Sequence, residues 1–305
     1  TIYMQEKDTH YSIFTKEMYA SHPLLSRLLA LHDVPETLYI QGTLPEITID
    51  EYGRATPRML TIVGSRKHTN YGKDVLEKLL PSLTGHPVII LSGLALGIDG
   101  LAHSIALTHA ITTVAVPGSG LDEKVLYPHA HVHMARDIVQ AGGALISELT
   151  PDTSAAQWTF PSRNRIMSAL SDAVLIIEAE EKSGTLITAR QALELGRDIG
   201  VIPGNIFSSN SYGTNTLARD GATIITSKED LFDFLHLPYE TNQEVSELVL
   251  NEEESILMNL LQEPLQKDIL LSLSNLPATT FLVALSSLEM KGYVHETFGE
   301  VRKVV

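Results

Sequence analysis

Four pieces of one stretch decide the fold: F-P-S-R-N-R at 160–165, D-A-V-L-I-I-E-A at 172–179, S-G-T-L-I-T-A-R at 183–190 and V-I-P-G-N at 201–205. The second and fourth pieces contain continuous apolar runs, which are typical of strands buried on both faces. The small residues of the third piece open a helix between them. This order predicts parallel strands whose carboxyl ends share one edge of a sheet, where ligands of open α/β sheets bind. Arginine, phenylalanine and backbone N–H groups at that edge suit an anionic ligand with stackable bases.

The same alternation continues outward from this stretch in both directions. Short apolar runs predict strands over 59–63, 88–91, 113–116, 144–147, 173–178, 199–202 and 223–226, with helices such as 74–83, 100–109 and 189–195 between them. Upstream, residues 24–31 look helical and residues 37–41 look like a short strand. The pattern predicts an α/β fold with a doubly wound, mostly parallel sheet.

The length of 305 residues leaves room for about two domains. We predict a lead-in segment over 1–55, an α/β domain over 56–236, a polar linker over 237–251 and a small C-terminal domain over 252–305. That last part has three predicted helices at 252–262, 266–272 and 277–290, followed by strands at 293–297 and 301–305. Three helices and a two-stranded wing are typical of a winged-helix domain.

The composition restricts the class of protein. Cysteine is absent, which excludes disulfides and thiol catalysis and fits a cytoplasmic protein. No run of about 18 apolar residues indicates a membrane span. The first residues lack the basic and apolar regions of a signal peptide.

The net charge of −15 argues at first against a nucleic-acid ligand, but its distribution is uneven. Residues 240–305 hold 11 acids and 4 bases, whereas residues 54–73 hold five bases and no acid. Electrostatic fields decay over about 8 Å at physiological salt. The acidic total is therefore compatible with a local basic site.

Glycine and small polar residues follow nearly every predicted strand, for example at 64–67, 92–99, 117–120, 183–185 and 203–205. Glycine allows close approach of a ligand, and free N–H groups at helix N-termini bind phosphate. Each loop alone is more simply explained as a tight turn. Residues 118–123 lack the third glycine of the dinucleotide fingerprint, and residues 64–73 do not have the spacing of a P-loop.

Three arginines are the best candidate phosphate ligands: Arg66, Arg163 and Arg165. A guanidinium group offers fixed, bidentate donors, although each arginine could instead form an internal salt bridge. Phe160 could stack on a base, or it could be a core aromatic residue.

Two histidine patterns suggest chemistry that we consider less favoured. Asp99 and His103, four residues apart, could be an acid–base pair, but a helix cap and a buried hydrogen bond explain them better. His129, His131 and His133 have a possible metal spacing, yet no carboxylate or thiolate stands nearby to complete a site. We therefore expect no metal and no cofactor.

Together these motifs resemble the DNA-processing protein A family, DprA, also called Smf. The resemblance runs in family order through the segments G-S-R-K-H-T-N-Y-G at 64–72, S-G-L-A-L-G-I-D-G-L-A-H at 92–103, T-V-A-V-P-G-S-G-L-D at 113–122, Y-P at 127–128, G-G-A-L-I-S-E at 142–148, F-P-S-R-N-R at 160–165, S-G-T-L-I-T-A at 183–189 and G-T-N-T-L-A-R-D-G-A at 213–222. The chain departs from the family pattern at Gln157, where some members carry a basic residue, and at Ala218, where a larger aliphatic residue is usual.

The resemblance implies a cytoplasmic bacterial protein with an extended Rossmann-like domain that binds single-stranded DNA without sequence specificity. Such a protein protects incoming DNA and loads the RecA recombinase during natural transformation, and it forms a homodimer. Carried over by motif, the DNA-binding residues are Gly64, Ser65, Arg66, Lys67, Phe160, Arg163, Asn164, Arg165, Ser183, Gly184 and Thr185. The dimer contact falls on Leu217.

Two other functions remain open at this point. A Rossmann-like nucleoside-monophosphate phosphoribohydrolase has a related fold, but its P-G-G-x-G-T motif is followed by a catalytic glutamate, and here Leu-Ile-Thr-Ala follows S-G-T. A winged helix that reads duplex DNA is the other function. The acidic C-terminal region, with only four basic residues, argues against it.

Overall fold

A computed structural model describes residues 2–4, 11–49, 54–238, 250–261, 263–297 and 299–303. The chain divides into two compact units, Thr1–Tyr239 and Glu240–Val305. The predicted linker over 237–251 lies outside the described residues except at its ends.

The first unit contains twelve strands and eight α-helices among its described residues. The strands are β1 (Ile2–Met4), β2 (Tyr11–Thr15), β3 (Thr37–Gly42), β4 (Thr48–Ile49), β5 (Ala55–Thr56), β6 (Arg58–Val63), β7 (Val88–Ser92), β8 (Thr113–Ala115), β9 (Ala144–Ser147), β10 (Ala173–Ile176), β11 (Asp198–Val201) and β12 (Thr223–Ile224). The helices are α1 (Lys16–Tyr19), α2 (Asn70–Leu79), α3 (Ile98–Thr108), α4 (Val132–Gln140), α5 (Thr159–Leu170), α6 (Gly184–Glu194), α7 (Tyr212–Arg219) and α8 (Lys228–Phe234).

Ten of these strands form one sheet in the order β1-β2-β3-β9-β8-β7-β6-β10-β11-β12. In this order, the seven neighbouring strands β9, β8, β7, β6, β10, β11 and β12 are parallel. Strands β1, β2 and β3 continue the sheet in antiparallel pairs. The chain runs from β6 through β7 and β8 to β9, and then returns to place β10 on the other side of β6. The strand order thus reverses between β6 and β10. This is the topological switch point, where ligands bind in such folds.

The parallel strands read as continuous apolar runs because both faces of the sheet are covered. Within β6, Met59 belongs to one buried cluster and Leu60 and Ile62 to another. Within β10, Val174 and Leu175 divide between the same two clusters. The prediction of an α/β fold with a doubly wound, mostly parallel sheet is confirmed.

The strands near the amino end do not form a unit of their own. We predicted a lead-in segment over residues 1–55, but β3 pairs with β9 and β2 pairs with β3, so this segment extends the main sheet. The predicted strand at 37–41 lies within β3. The predicted helix at 24–31 is a 3₁₀ helix over Leu25–Ala30.

The second unit has three helices and a small sheet among its described residues: α9 (Glu252–Leu260), β13 (Leu265–Gln266), α10 (Lys267–Ser274), α11 (Ala278–Met290), β14 (Val294–Thr297) and β15 (Glu300–Lys303). The sheet order is β13-β15-β14, and both pairs are antiparallel. Buried Leu257, Leu270, Phe281 and Val301 belong to its core. The winged-helix assignment stays a prediction. Residues 304–305, at the end of the predicted domain, lie outside the described part of the chain.

Within the described residues, no single helix is both long and apolar enough to cross a membrane. Taken together, the helices Lys267–Ser274 and Ala278–Met290 are long and apolar enough by length and composition alone, but a bend of 118° separates them.

Candidate nucleic-acid interface

A cavity of about 440 Å³ opens at the switch point between β6 and β10. Its walls come from the loop after β6, the start of α5 and the start of α6. Ten of the eleven residues predicted for DNA binding line it: Gly64, Ser65, Arg66, Lys67, Phe160, Arg163, Asn164, Ser183, Gly184 and Thr185. The tertiary structure therefore brings together residues that are about 120 positions apart in the sequence.

Arg66 and Phe160 form the most informative contact of this cavity. The guanidinium carbon of Arg66 lies 4.5 Å from the centroid of the Phe160 ring, a cation–π contact. Tyr127 contacts the Phe160 ring edge-on, with the two ring centroids 5.6 Å apart. Arg66 remains exposed to solvent. A cation and an aromatic ring are thus presented together at the cavity.

Gly118 makes room for the Phe160 ring. A Cβ atom at Gly118 would lie 2.6 Å from Cδ1 of Phe160, which is closer than such contacts allow. The position of the Phe160 ring therefore explains the glycine of the V-P-G-S-G loop. The neighbouring Ser119 is buried and accepts a hydrogen bond from the backbone N–H of Tyr127.

Arg163 lies beneath the cavity and is buried. Its Nη1 atom donates to the carbonyl oxygens of Gly93, at 2.5 Å, and Val116. Its Nε atom donates to Oδ1 of Asn164 at 3.1 Å. Burial lowers the pKa of Arg163 to about 10, an effect that Asp99 opposes. The side chain stays charged at neutral pH, and it also holds two loops together.

Arg165 is in a different situation from the other two arginines. The described residues that line the cavity do not include Arg165, and its side chain is only 13% exposed. It pairs with Glu148, and Asp33 lies 3.6 Å away. Ser162 donates to the other oxygen of Glu148 at 2.7 Å. For Arg165, the internal salt bridge that we left open as an alternative is what the structure contains.

The amino end of α6 supplies backbone donors to the same cavity. Ser183 is the N-cap, and its side chain accepts from the N–H of Thr185 at 3.2 Å. The Thr185 hydroxyl donates to the carbonyl of Gly64 at 3.3 Å, which ties α6 to the loop after β6. The positive end of the helix dipole therefore faces the cavity, where it favours an anion.

Sequence reasoning missed two polar residues in the lining, Glu180 and Thr188. Glu180 is exposed and adds negative charge at the rim, where it disfavours a phosphate in its immediate vicinity. The E-A-E-E-K sequence directly before S-G-T was the available signal.

Asp99 lines the cavity but has a structural partner. Its Oδ2 accepts from the N–H of Gly93 at 3.1 Å, across the loop that precedes α3. The N-cap of α3 is Gly97, so the helix-capping role predicted for Asp99 is wrong in position. Burial raises the pKa of Asp99, and the charge of Arg163 opposes that shift.

His103 is fully buried, with Nδ1 2.7 Å from Oγ1 of Thr113. Because the Thr113 hydroxyl donates to the carbonyl of Ile90, it accepts from His103. Burial lowers the pKa of His103 to about 3. These contacts agree with a packing role for His103. Among the described residues, no group of three or more His, Cys, Asp or Glu side chains is arranged to hold a metal ion.

Leu217, the predicted dimer contact, lies on α7 and is half-buried against the core of its own unit. On the same helix, Asn215 binds the loop after β11. The dimer contact itself stays a prediction.

Comparison with known proteins agrees with this geometry. Residues 11–236 match the family described as DNA recombination-mediator protein A. The chain is 34% identical over 280 residues to protein Smf of Escherichia coli, covering 88% of this chain and 71% of that protein. It is 38% identical over 208 residues to the DNA processing protein DprA of Bacillus subtilis, covering 68% of this chain and 67% of that protein.

Two solved structures are also similar. The DNA processing protein A of Streptococcus pneumoniae superposes with a TM-score of 0.63 at 32% identity, covering 73% of this chain and 74% of that one. The Helicobacter pylori protein, whose structure was described for its single-stranded DNA binding mode, gives 0.60 at 30% identity, covering 74% and 95%. The resemblance read from the motifs is confirmed, and the chain belongs to the DNA recombination-mediator protein A family, whose curated members are named DprA and Smf.

Proposed function

We propose that this chain binds single-stranded DNA, without sequence specificity, in a groove centred on the switch-point cavity. The observation that carries the proposal is the exposed Arg66 guanidinium stacked over Phe160 at that cavity. A groove that combines a cation for the backbone with an aromatic face for a base is the usual arrangement for sequence-tolerant strand binding. The single-stranded DNA binding mode described for the Helicobacter pylori relative supports the same ligand class.

Different groups of the cavity suit the phosphate and the base of a nucleotide. Arg66, Lys67 and the N–H groups at the start of α6 suit the phosphate, since all three are donors and carry positive charge or dipole. The Phe160 ring suits a base. Arg163 contributes its charge from beneath the cavity while its donors hold the surrounding loops.

A single strand fits this site better than a duplex. An aromatic ring can stack on a base only when that base is unpaired and free to leave its neighbours. Duplex readers instead place a helix or ribbon with base-reading side chains in the groove of an intact duplex.

The cellular role follows from family membership as a proposal. The protein would cover incoming strands during natural transformation in the cytoplasm and load the RecA recombinase on them. It would act as a homodimer, which places two grooves in one particle and raises avidity through effective concentration.

Binding, and not turnover, is the activity that we assign. Asp99 is already hydrogen-bonded within its loop, and the S-G-T segment at α6 lacks the glutamate of the phosphoribohydrolase alternative. Incubation with adenosine monophosphate tests this, and release of free adenine that is lost in a folded Asp99→Asn variant would favour the enzyme.

The central experiment is an equilibrium titration with single- and double-stranded oligonucleotides of equal length. We expect tighter binding to the single strand. Arg66→Ala should weaken it about 10-fold or more, because it removes a charge-assisted contact. Arg219→Ala removes an exposed arginine that does not line the cavity and serves as the matched control. Equal or tighter binding of duplex, or an unaffected Arg66→Ala variant, would refute the proposal.

A further inference from the structure

The turn at residues 205–208 follows β11. Hydrogen bonds fix its backbone, and its tip is exposed to solvent. The side-chain Oδ1 of Asn205 accepts a hydrogen bond from the N–H of Phe207 at 2.9 Å. The backbone carbonyl of Asn205 accepts from the N–H of Ser208 at 3.0 Å. At the base, the Asn215 amide accepts from the N–H of Gly204 at 3.1 Å and donates to its carbonyl at 3.0 Å. Hydrogen bonds, and not burial of the tip, therefore fix the shape of this turn.

The tip of the turn carries two large apolar side chains in solvent. Ile206 is 81% exposed and Phe207 is 91% exposed. Isolated exposed apolar residues are common, but two adjacent ones on a turn held by side-chain hydrogen bonds indicate a contact surface. Burial of either side chain in the fold does not explain its presence.

This turn stands next to the cavity on the same edge of the sheet. The Tyr71 hydroxyl donates to the carbonyl of Pro203 at 2.6 Å, which joins the turn to the segment that follows Arg66. On the other side, the N–H of Gly213 donates to the carbonyl of Ala179 at 2.7 Å, and Ala179 directly precedes the rim residue Glu180. A DNA strand that leaves the cavity across the end of β10 would meet the turn next.

The charge of the segment fits the same ligand. Residues 199–218 contain no charged side chain, so the turn presents an aromatic face without a carboxylate that would repel a phosphate backbone. The loop between β10 and α6 carries exposed Glu180 and Glu181 beside exposed Lys182, so the turn offers a ligand its aromatic ring and not positive charge. Stacking on an aromatic ring tolerates every base because each base has a π face.

We propose that Phe207 forms a second base-stacking subsite, which extends the strand-binding groove from the switch-point cavity across the carboxyl end of β11. The occupant is an unpaired base of the same strand whose other part fills the cavity. This inference rests on the proposed function. A second copy of the chain on the same tip is the alternative that the test separates.

The test compares a short oligothymidylate of about 4 nucleotides with a long one of about 16 nucleotides, the range of single-strand site sizes. Phe207→Ala should raise Kd for the long strand about 5-fold or more and leave the short strand unchanged, because only the long strand reaches the turn. Phe207→Tyr keeps the ring and should retain the wild-type affinity. Met290→Ala, an exposed apolar residue of the second unit, controls for the loss of surface hydrophobicity.

A spectroscopic measurement reports the contact directly. Trp158 is the only tryptophan of the chain, so Phe207→Trp in a Trp158→Phe background places one fluorophore at the turn. Stacking of a base should quench its emission when the long strand binds, and not when the short strand binds.

The outcomes separate this inference from the proposed function. If Arg66→Ala weakens both strands and Phe207→Ala weakens neither, only the second subsite is refuted. Equal weakening of both strands by Phe207→Ala would also refute it, because the ring would then belong to the cavity. A change in oligomeric state of Phe207→Ala without a change in Kd would favour the second copy. If Arg66→Ala has no effect, the proposed function itself fails.

Discussion

At the scale of single residues, the two arginines of the cavity differ in burial, and this difference decides what each substitution does. Arg66 is exposed and stacks on Phe160, whereas Arg163 is buried and donates to two loop carbonyls. From the sequence, both arginines were candidate phosphate ligands. The buried hydrogen bonds of Arg163 give it a structural role that Arg66 does not share.

We predict that Arg163→Ala lowers the free energy of unfolding by about 2–5 kcal/mol. The substitution leaves the carbonyls of Gly93 and Val116 without this donor and removes the cation that most strongly offsets the burial of Asp99. A buried group without a partner costs about 1–3 kcal/mol. Arg66→Ala should change stability by less than about 0.5 kcal/mol. Denaturant titration of both variants measures the difference. Equal stability of the two variants would contradict the structural role of Arg163.

A second residue-scale prediction concerns pH. The pKa of His103 is lowered by burial to about 3 in the folded chain, against about 6.5 when unfolded. Between these values the unfolded chain binds a proton that the folded chain does not, so stability falls as pH falls. From about pH 7 to about pH 5, His103 alone should remove about 2 kcal/mol.

The variant His103→Gln isolates this contribution, since its amide can still donate to Thr113. Its loss of stability over the same pH range should be about 2 kcal/mol smaller than that of the wild type. Denaturant titrations at the two pH values provide the comparison. Parallel pH profiles for the two proteins would show that His103 is not responsible.

At the scale of elements, the start of α6 combines a structural and a functional role. Ser183 caps the helix, and the same first turn lines the cavity. Ser183→Ala should cost about 1 kcal/mol of stability, whereas Ser183→Gly should cost only a few tenths, because glycine is tolerated at an N-cap. Thermal unfolding of the two variants checks this order. A glycine variant less stable than the alanine variant would contradict it.

At the scale of the whole molecule, the net charge of −15 and the local basic groove have opposite consequences for binding. Each phosphate contact on a single strand contributes about −0.7 to the slope of log K against log salt. We therefore predict a negative slope for the wild type, and one that is about 0.7 shallower for Arg66→Ala. A salt-independent affinity would indicate that the backbone is not the contact.

The proposed homodimer is the second prediction at this scale. Light scattering at micromolar concentration should give twice the mass of one chain. Because Leu217 is half-buried in its own unit, Leu217→Ala must be accompanied by a stability measurement before a loss of dimer is assigned to the interface. A monomer across the whole concentration range would contradict the proposal.

The sequence by itself determined the α/β class, the strands of the parallel sheet and the family. Continuous apolar runs indicate strands covered on both faces, and glycine-bearing strand ends indicate the sheet edge where we propose the ligand, because both signals are local in the chain. The family resemblance supplied eleven candidate residues, and ten of them line one cavity. Their role in DNA binding stays a prediction.

Only the tertiary structure decided what those residues do there. Whether an arginine faces solvent, a carbonyl or a carboxylate depends on partners far away in sequence: Gly93 and Val116 for Arg163, and Glu148 for Arg165. The same holds for β2 and β3, whose place in the main sheet depends on pairing with β9, about 100 residues later. Burial and pairing are properties of distant contacts, and no local pattern in the chain encodes them.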